Sequence, residues 1–233
     1  MTSDRYGLSV RGSRVICRRD DLAEDVVALT FDDGPAEWTE PILDTLGAAG
    51  VKATFFVIGN AVPSREATLR RIVSEGHEVG NHTFTHAHLL RGERTRADVA
   101  ADIDAGRRAI SDACGVEPAV FRPPFFGDDI QTLETILSCG YDYSVHADVL
   151  TDDWNATAPE QITSVIVPRV TRGSIVDLHD GRPLDEPFED PEGRSSRADR
   201  WPTAHSVGQI VPALLEQGFR FVTVSELLAL PAR

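Results

Sequence analysis

Val26-Val27-Ala28-Leu29-Thr30-Phe31-Asp32-Asp33-Gly34-Pro35 is the stretch on which the reading of this chain turns. Its first residues form an apolar, β-rich run of the kind that makes a buried strand. Gly34-Pro35 ends that run at once, so two adjacent carboxylates stand at the strand's C-terminal tip, where a turn can aim them separately. Successive side chains of a strand point to opposite faces. Asp32 and Asp33 are therefore expected to diverge and to do different work.

Further along, His82-Thr83-Phe84-Thr85-His86 sets two imidazoles four residues apart, a spacing that brings both to one side of a helical turn. Asp33, His82 and His86 together make a two-His-one-carboxylate set for one divalent ion, with coordination positions left open. Asp32 remains free for proton transfer. Taken singly, either motif also fits an ordinary turn or a polar loop; their joint presence points to a metal-dependent hydrolase.

Outward from this pair the chain alternates strand-like and helical patterns, with glycine closing most helices. Thr39 is expected to cap a helix running to Gly50, and residues 54–58 to form a strand. Helices are expected over 67–75, 95–114, 131–138, 159–170 and 207–217. Strands are expected over 119–122, 142–145, 174–179 and 219–224. Repeated β-then-α order argues for a parallel sheet, closed or wound, with helices outside. In barrels of this kind the chemistry gathers at the C-terminal ends of the strands. Asp32, Asp33, Arg122 and His179 all fall at such ends.

With 233 residues, 41% of them hydrophobic, the chain is long enough for one α/β core and short for two. We expect an N-terminal extension over 1–23 and a single catalytic domain over 24–233. Its 23 basic and 37 acidic residues give a formal charge of −14, which disfavours nucleic acid and anionic membrane as partners. A small-molecule or oligosaccharide substrate fits better, and the oligomeric state is left open. Cys17, Cys114 and Cys139 are widely spaced, with no pattern suggesting a disulfide framework or a thiolate zinc site. The first twenty residues carry no apolar run of signal-peptide length, and no membrane-spanning run follows. As written the chain reads as cytoplasmic, or as secreted if a leader was removed.

Thr30-Phe31-Asp32-Asp33-Gly34-Pro35, Gly80-Asn81-His82-Thr83-Phe84-Thr85-His86, Phe121-Arg122-Pro123-Pro124-Phe125, Asp153-Trp154 and Leu178-His179-Asp180 occur in the order found in polysaccharide deacetylases. The chain resembles that family, the NodB-homology domain or carbohydrate esterase family 4, from about residue 24 to residue 228. The resemblance implies a distorted (β/α) barrel with seven or eight mostly parallel strands. It also implies one divalent metal ion, Zn²⁺ or alternatively Co²⁺ or a similar ion, and hydrolysis of an acetyl group on a sugar.

Carried onto this sequence, the resemblance makes Asp32 the base and Asp33, His82 and His86 the metal ligands. The backbone N–H of Phe125 becomes a donor to the developing oxyanion. His179 becomes the acid that protonates the leaving amine, with Asp153 as its carboxylate neighbour. Arg122 is the natural partner of Asp32, since a nearby cation keeps a carboxylate ionised and oriented. Trp154, Asp177, Pro124 and Leu178 are the expected substrate contacts. The leading expectation is removal of acetyl from an N-acetylated amino sugar in an oligosaccharide, glycoconjugate or sugar-containing metabolite. An O-acetyl esterase, or a non-sugar amide hydrolase or deformylase, uses the same scaffold. A catalytically silent metal- or carbohydrate-binding module is the reading from another class, and it has no need of base, orienter and acid together.

Two positions depart from the family pattern. Leu150 stands three residues before Asp153-Trp154, where an aspartate is common, which leaves Asp148, Asp153 and Asp177 as competing partners for His179. Asp177 stands two residues before His179, where leucine usually lines an apolar pocket for the acetyl methyl. Strand alternation puts Asp177 on the same face as His179. It can orient His179, meet a polar or cationic part of the substrate, or pair with a local arginine. The polar, Pro-, Gly- and charge-rich segment 181–200 directly follows and is expected to wall the cleft.

Overall fold

A computed structural model describes residues 14–90, 92–184 and 199–233. Most of segment 181–200, and so its expected role as a wall, lies outside the described residues. The central strand is β2, Val26–Asp32, preceded by β1, Val15–Ile16. Helix α1 (Thr39–Ala49), β3 (Thr54–Val57), α2 (Glu66–Ser74), β4 (Glu78–Asn81) and the long α3 (Arg96–Cys114) follow. Then come α4 (Ile130–Ser138), β5 (Ser144–Val145), α5 (Pro159–Ile166), β6 (Ser174–His179), α6 (Trp201–Glu216), β7 (Arg220–Phe221) and α7 (Val224–Ala229).

The ladder runs β4-β3-β2-β6, with β7 beside the start of β2, and every strand pairing is parallel. Single bridges carry the rest of the ring. Phe121 joins Asn81 to Ser144, Val149 joins Val176, and β1 pairs with β5. The result is the expected distorted (β/α) barrel. Its two faces bury separate clusters, because alternation sorts each strand. Val27, Leu29, Phe31, Val176 and Leu178 pack outward under α1, α5 and α6. Val26, Ala28, Phe56, Val145 and Ile175 fill the interior. Thr30, Asp32, Asp177 and His179 continue that inward face toward the C-terminal rim.

Several boundaries differ from expectation for identifiable reasons. The strand expected over 119–122 is reduced to the bridge at Phe121, because Pro118 and Pro123 lack backbone donors and leave little chain to pair. β4 carries no β-rich run and is formed by pairing with β3. Thr39 is the first residue of α1, not its cap; its hydroxyl accepts from Ala36 N at 2.8 Å and donates to the Asp180 carboxylate. α3 runs Arg96–Cys114 within the expected 95–114, and Thr95 is its cap, closed into a capping box by Asp98. α6 begins six residues before the expected 207, and α5 stops at Ile166, short of 170. Residues 220–221 alone of 219–224 pair as a strand, and Thr223 caps α7.

Of segment 1–23, the described part is woven into the barrel. Arg19 donates to the carbonyl oxygens of Leu228 and Leu230, and Arg19 N reaches Gly173 O at 2.9 Å. Gly173 has a φ of +73°, and a Cβ there would lie 1.8 Å from Arg19 O. Gly173→Ala is therefore expected to cost on the order of 2–3 kcal/mol, read as a lower urea midpoint with no change in the site's chemistry. None of the described helices is long and apolar enough to cross a membrane.

Candidate active site

Pairing of β2 with β6 sets Asp32 opposite His179 and Thr30 opposite Asp177 at the open end of the barrel. Arg122 reaches them from the rim segment after the Phe121 bridge. It is fully buried, with its guanidinium carbon 4.1 Å over the Phe56 ring and its Nη2 and Nε on the carbonyl oxygens of His146 and Val145. Nη1 donates to Asp32 Oδ1 at 2.7 Å, to Thr30 Oγ1 at 2.8 Å and to Asp177 Oδ1 at 3.1 Å. The expected Arg122–Asp32 contact is thus present between buried side chains, where such pairs are strong.

Asp33 leaves the strand with φ 74° and turns the other way. Its buried Oδ1 accepts no hydrogen bond among the described residues and faces Nε2 of His86 at 3.2 Å and Nε2 of His82 at 3.6 Å. The two histidines do not share a helical turn. They sit on a tight loop in which Thr83 (φ 65°) and His86 (φ 60°) are left-handed, and the four-residue spacing is met by folding that loop back. Asp102 of α3 fixes it, accepting from Phe84 N, Thr85 N and Thr85 Oγ1. His82 Nδ1 lies 2.8 Å from Arg122 O, so it carries the proton and leaves the Nε2 lone pair aimed at Asp33.

Burial pushes His82 down to about 4 and His86 down to about 3, so both are neutral at physiological pH. Burial raises Asp33, against the pull of His179 and His82. Three buried atoms able to bind a metal, one from each residue, lie within 4.8 Å of one another. That arrangement is costly for the protein alone and fits a divalent cation.

His179 approaches from the opposite side. Its Nδ1 is 2.8 Å from Asp153 Oδ1, and its backbone N donates to Asp153 Oδ2 at 2.8 Å. Thr203 of α6 donates to the same Oδ2, again at 2.8 Å. Burial works against a charged imidazole, but the Asp153 charge and hydrogen bond outweigh it, with Asp177 and Asp33 adding, and hold His179 well above its ordinary value. Asp148 is engaged elsewhere, on Ser174 Oγ and Ile175 N. Asp177 sits on Arg122 and does not orient His179; burial and the nearby Asp32 carboxylate push it up to about 7.

The remaining expected substrate contacts are scattered. Leu178 is a correction: it is fully buried on the outer face of β6, within the helix-side core, and cannot touch a substrate. Pro124 is buried in a short turn, Pro124–Phe126. Phe125 in that turn is left-handed (φ 59°) and 52% exposed, and its ring lies on His86 and stacks on His88 at 5.3 Å. Trp154 is half-buried beside Asp153, with its carbonyl 3.3 Å from Arg200 Nη1. Among the other aromatics, Trp201 is exposed and rests on His205 at 4.4 Å.

Besides Asp102, three further supporting residues have no role in the sequence reading. Thr30 and Thr203 hold Arg122 and Asp153. Asp180 is buried beneath the Asp33-Gly34 turn, where a Cβ on Gly34 would lie 2.2 Å from its carboxylate. Burial raises Asp180 to about 7. Only Asp180 had a signal, its place beside His179 in the last motif.

A buried carboxylate held by arginine, a second carboxylate beside two histidines, and a histidine held by an aspartate thus meet at one barrel rim. The family model for polysaccharide deacetylases matches residues 19–144. The chain is 34% identical over 209 residues to a peptidoglycan-N-acetylglucosamine deacetylase of Bacillus cereus, covering 88% of this chain and 89% of the relative. It is 37% identical over 203 residues to a chitooligosaccharide deacetylase of a Bradyrhizobium species, covering 86% and 90%. Among solved structures, a family 4 acetyl xylan esterase from Clostridium thermocellum in complex with a cobalt ion superposes with a TM-score of 0.73 at 31% identity, covering 87% of this chain and 90% of that one. The T48 deacetylase with substrate gives 0.75 at 32%, covering 90% and 94%. The chain belongs to the polysaccharide deacetylase family, with the NodB-homology fold of carbohydrate esterase family 4, and is a deacetylase hydrolase.

Proposed function

We propose that this chain removes the acetyl group from an N-acetylated amino sugar within an oligosaccharide, using one divalent ion held by Asp33, His82 and His86. The observation that carries this reading is the buried, unbonded Asp33 Oδ1 facing two neutral imidazoles while Asp32 and His179 stand on either side. When bound, the ion polarises the acyl carbonyl and makes water acidic enough to act near pH 7. Asp32, held by Arg122, takes the proton from the attacking water. The Phe125 N–H donates to the oxyanion that develops on the carbonyl, a contact whose loss typically costs about a hundredfold. His179, kept protonated by Asp153, gives its proton to the departing amine nitrogen. The sugar comes from the relatives: two deacetylases named for N-acetylglucosamine and chitooligosaccharide align with most of this chain.

Acetate release from N-acetylated chitooligosaccharides is expected to disappear on chelation and return with Zn²⁺ or Co²⁺. Release that persists in the ion-free protein defeats the reading. The esterase superposition favours a second reading, O-deacetylation of a sugar ester. It predicts faster release from acetylated xylan than from any N-acetyl oligosaccharide.

A further inference from the structure

Acid and base in this mechanism share a third polar neighbour to which it gives no contact with substrate. Asp177 pairs with Thr30 across the β2–β6 ladder, two residues before His179, so its side chain enters the same face. One of its oxygens takes Arg122 Nη1 at 3.1 Å. That nitrogen has two hydrogens and already meets Asp32 Oδ1 at 2.7 Å and Thr30 Oγ1 at 2.8 Å, so three acceptors compete for two protons. The other Asp177 oxygen accepts no hydrogen bond among the described residues, although the residue is only 4% exposed. Carboxylate oxygens of Asp32 and Asp177 and a ring nitrogen of His179 lie within 4.8 Å of one another.

The bond to be cut has to lie between Asp32 and His179, so the acyl group is brought against Asp177. An alkyl group placed there strips water from the free oxygen and returns nothing. An acyl group carrying an O–H donates to that oxygen and restores what was lost. Asp153 already holds His179, which leaves Asp177 available for this contact.

We propose that Asp177 is the specificity-determining wall of the acyl pocket and that the site prefers a hydroxyacetyl group over acetyl on the amino-sugar nitrogen. The inference rests on the amide-hydrolysis reading above. The reaction is otherwise unchanged: water adds to the acyl carbon, the C–N bond breaks, a proton goes to the amine nitrogen, and hydroxyacetate leaves in place of acetate.

The test compares kcat/KM of the Zn²⁺-loaded full chain on N-acetyl, N-hydroxyacetyl and N-formyl forms of one chitooligosaccharide, for wild type and Asp177→Leu. Wild type is expected to favour hydroxyacetyl over acetyl by about tenfold or more, and the leucine variant to reverse that order, because a site built around a substrate hydroxyl discriminates strongly and an apolar one does not. Damage to Arg122 or to the fold slows both substrates alike and leaves the ratio unmoved. An equal ratio in the two proteins, or a wild-type preference for formyl over both others, overturns the proposal. Product inhibition of wild type needs no variant: hydroxyacetate is expected to inhibit more strongly than acetate, and equal inhibition also overturns it. Failure of wild type to release acid from any of the three substrates sinks the amide-hydrolysis reading itself, an outcome distinct from an unchanged ratio.

Discussion

Asp32→Asn and Asp33→Asn, one residue apart, are expected to fail in different ways. The Asp33 variant should lose the divalent ion on dialysis and all measurable acetate release with it. The Asp32 variant should keep the ion and fall by about a hundred- to ten-thousandfold in kcat, the range for loss of a general base. The basis is the division of labour at the strand tip. Asp32 commits Oδ1 to the Arg122 guanidinium at 2.7 Å and points into the barrel. Asp33 Oδ1 accepts no hydrogen bond among the described residues and faces the Nε2 atoms of His82 and His86. His82 Nε2 also lies 3.6 Å from Asp32 Oδ2, so the two acids are near enough to trade places in principle. What separates them is the arginine, which satisfies one and not the other. Metal content by atomic absorption beside acetate release decides the matter. Retention of the ion by Asp33→Asn, or its loss by Asp32→Asn, reverses the assignment.

The chain announced its site more clearly than its fold. Val26–Asp32 reads as a strand because its run is apolar and β-rich, and the structure buries every residue of it; Gly34-Pro35 then ends the run in a turn, so the placement of both acids follows from local chemistry. His82 and His86 were legible as a pair, but their backbone was not. Spacing of four suits a helix and a folded-back loop equally, and only Asp102, distant in sequence, selects the loop. Leu178 was misplaced by adjacency: alternation, which correctly put Asp177 and His179 inward, turns the residue between them outward into the helix-side core. β4 stayed hidden because Glu-Val-Gly-Asn has no intrinsic preference for a strand and gains one from β3. Asp153 was legible through resemblance alone, since a residue in a short turn becomes the partner of a strand histidine only through tertiary contact. Thr203 left no trace in the sequence for the same reason.

On the mechanism proposed above, the His179–Asp153 contact sets the alkaline limit of activity, and Asp153→Asn is expected to move it. His179 acts as an acid only while protonated, so activity falls as pH rises through its folded pKa. In the wild type that pKa is held well above 6.5, because the Asp153 charge and hydrogen bond overcome a burial that by itself lowers it. Asparagine keeps the shape and can still meet Nδ1, but the charge is gone and burial is left largely unopposed. The folded pKa then drops, and the alkaline limb of kcat/KM moves to lower pH. Each unit of displacement costs about tenfold on that limb, so the variant should trail wild type increasingly as the pH is raised, with the gap narrowing as the pH is lowered. Asp177 and Asp33 also raise His179, so the limb should not fall as far as burial alone would take it. The rate profile is one measurement, and the His179 imidazole resonance followed through the same pH range is the second. If both stay where the wild type has them, Asp153 does not control the proton on His179, and the acid of this reaction has to be sought elsewhere on the rim.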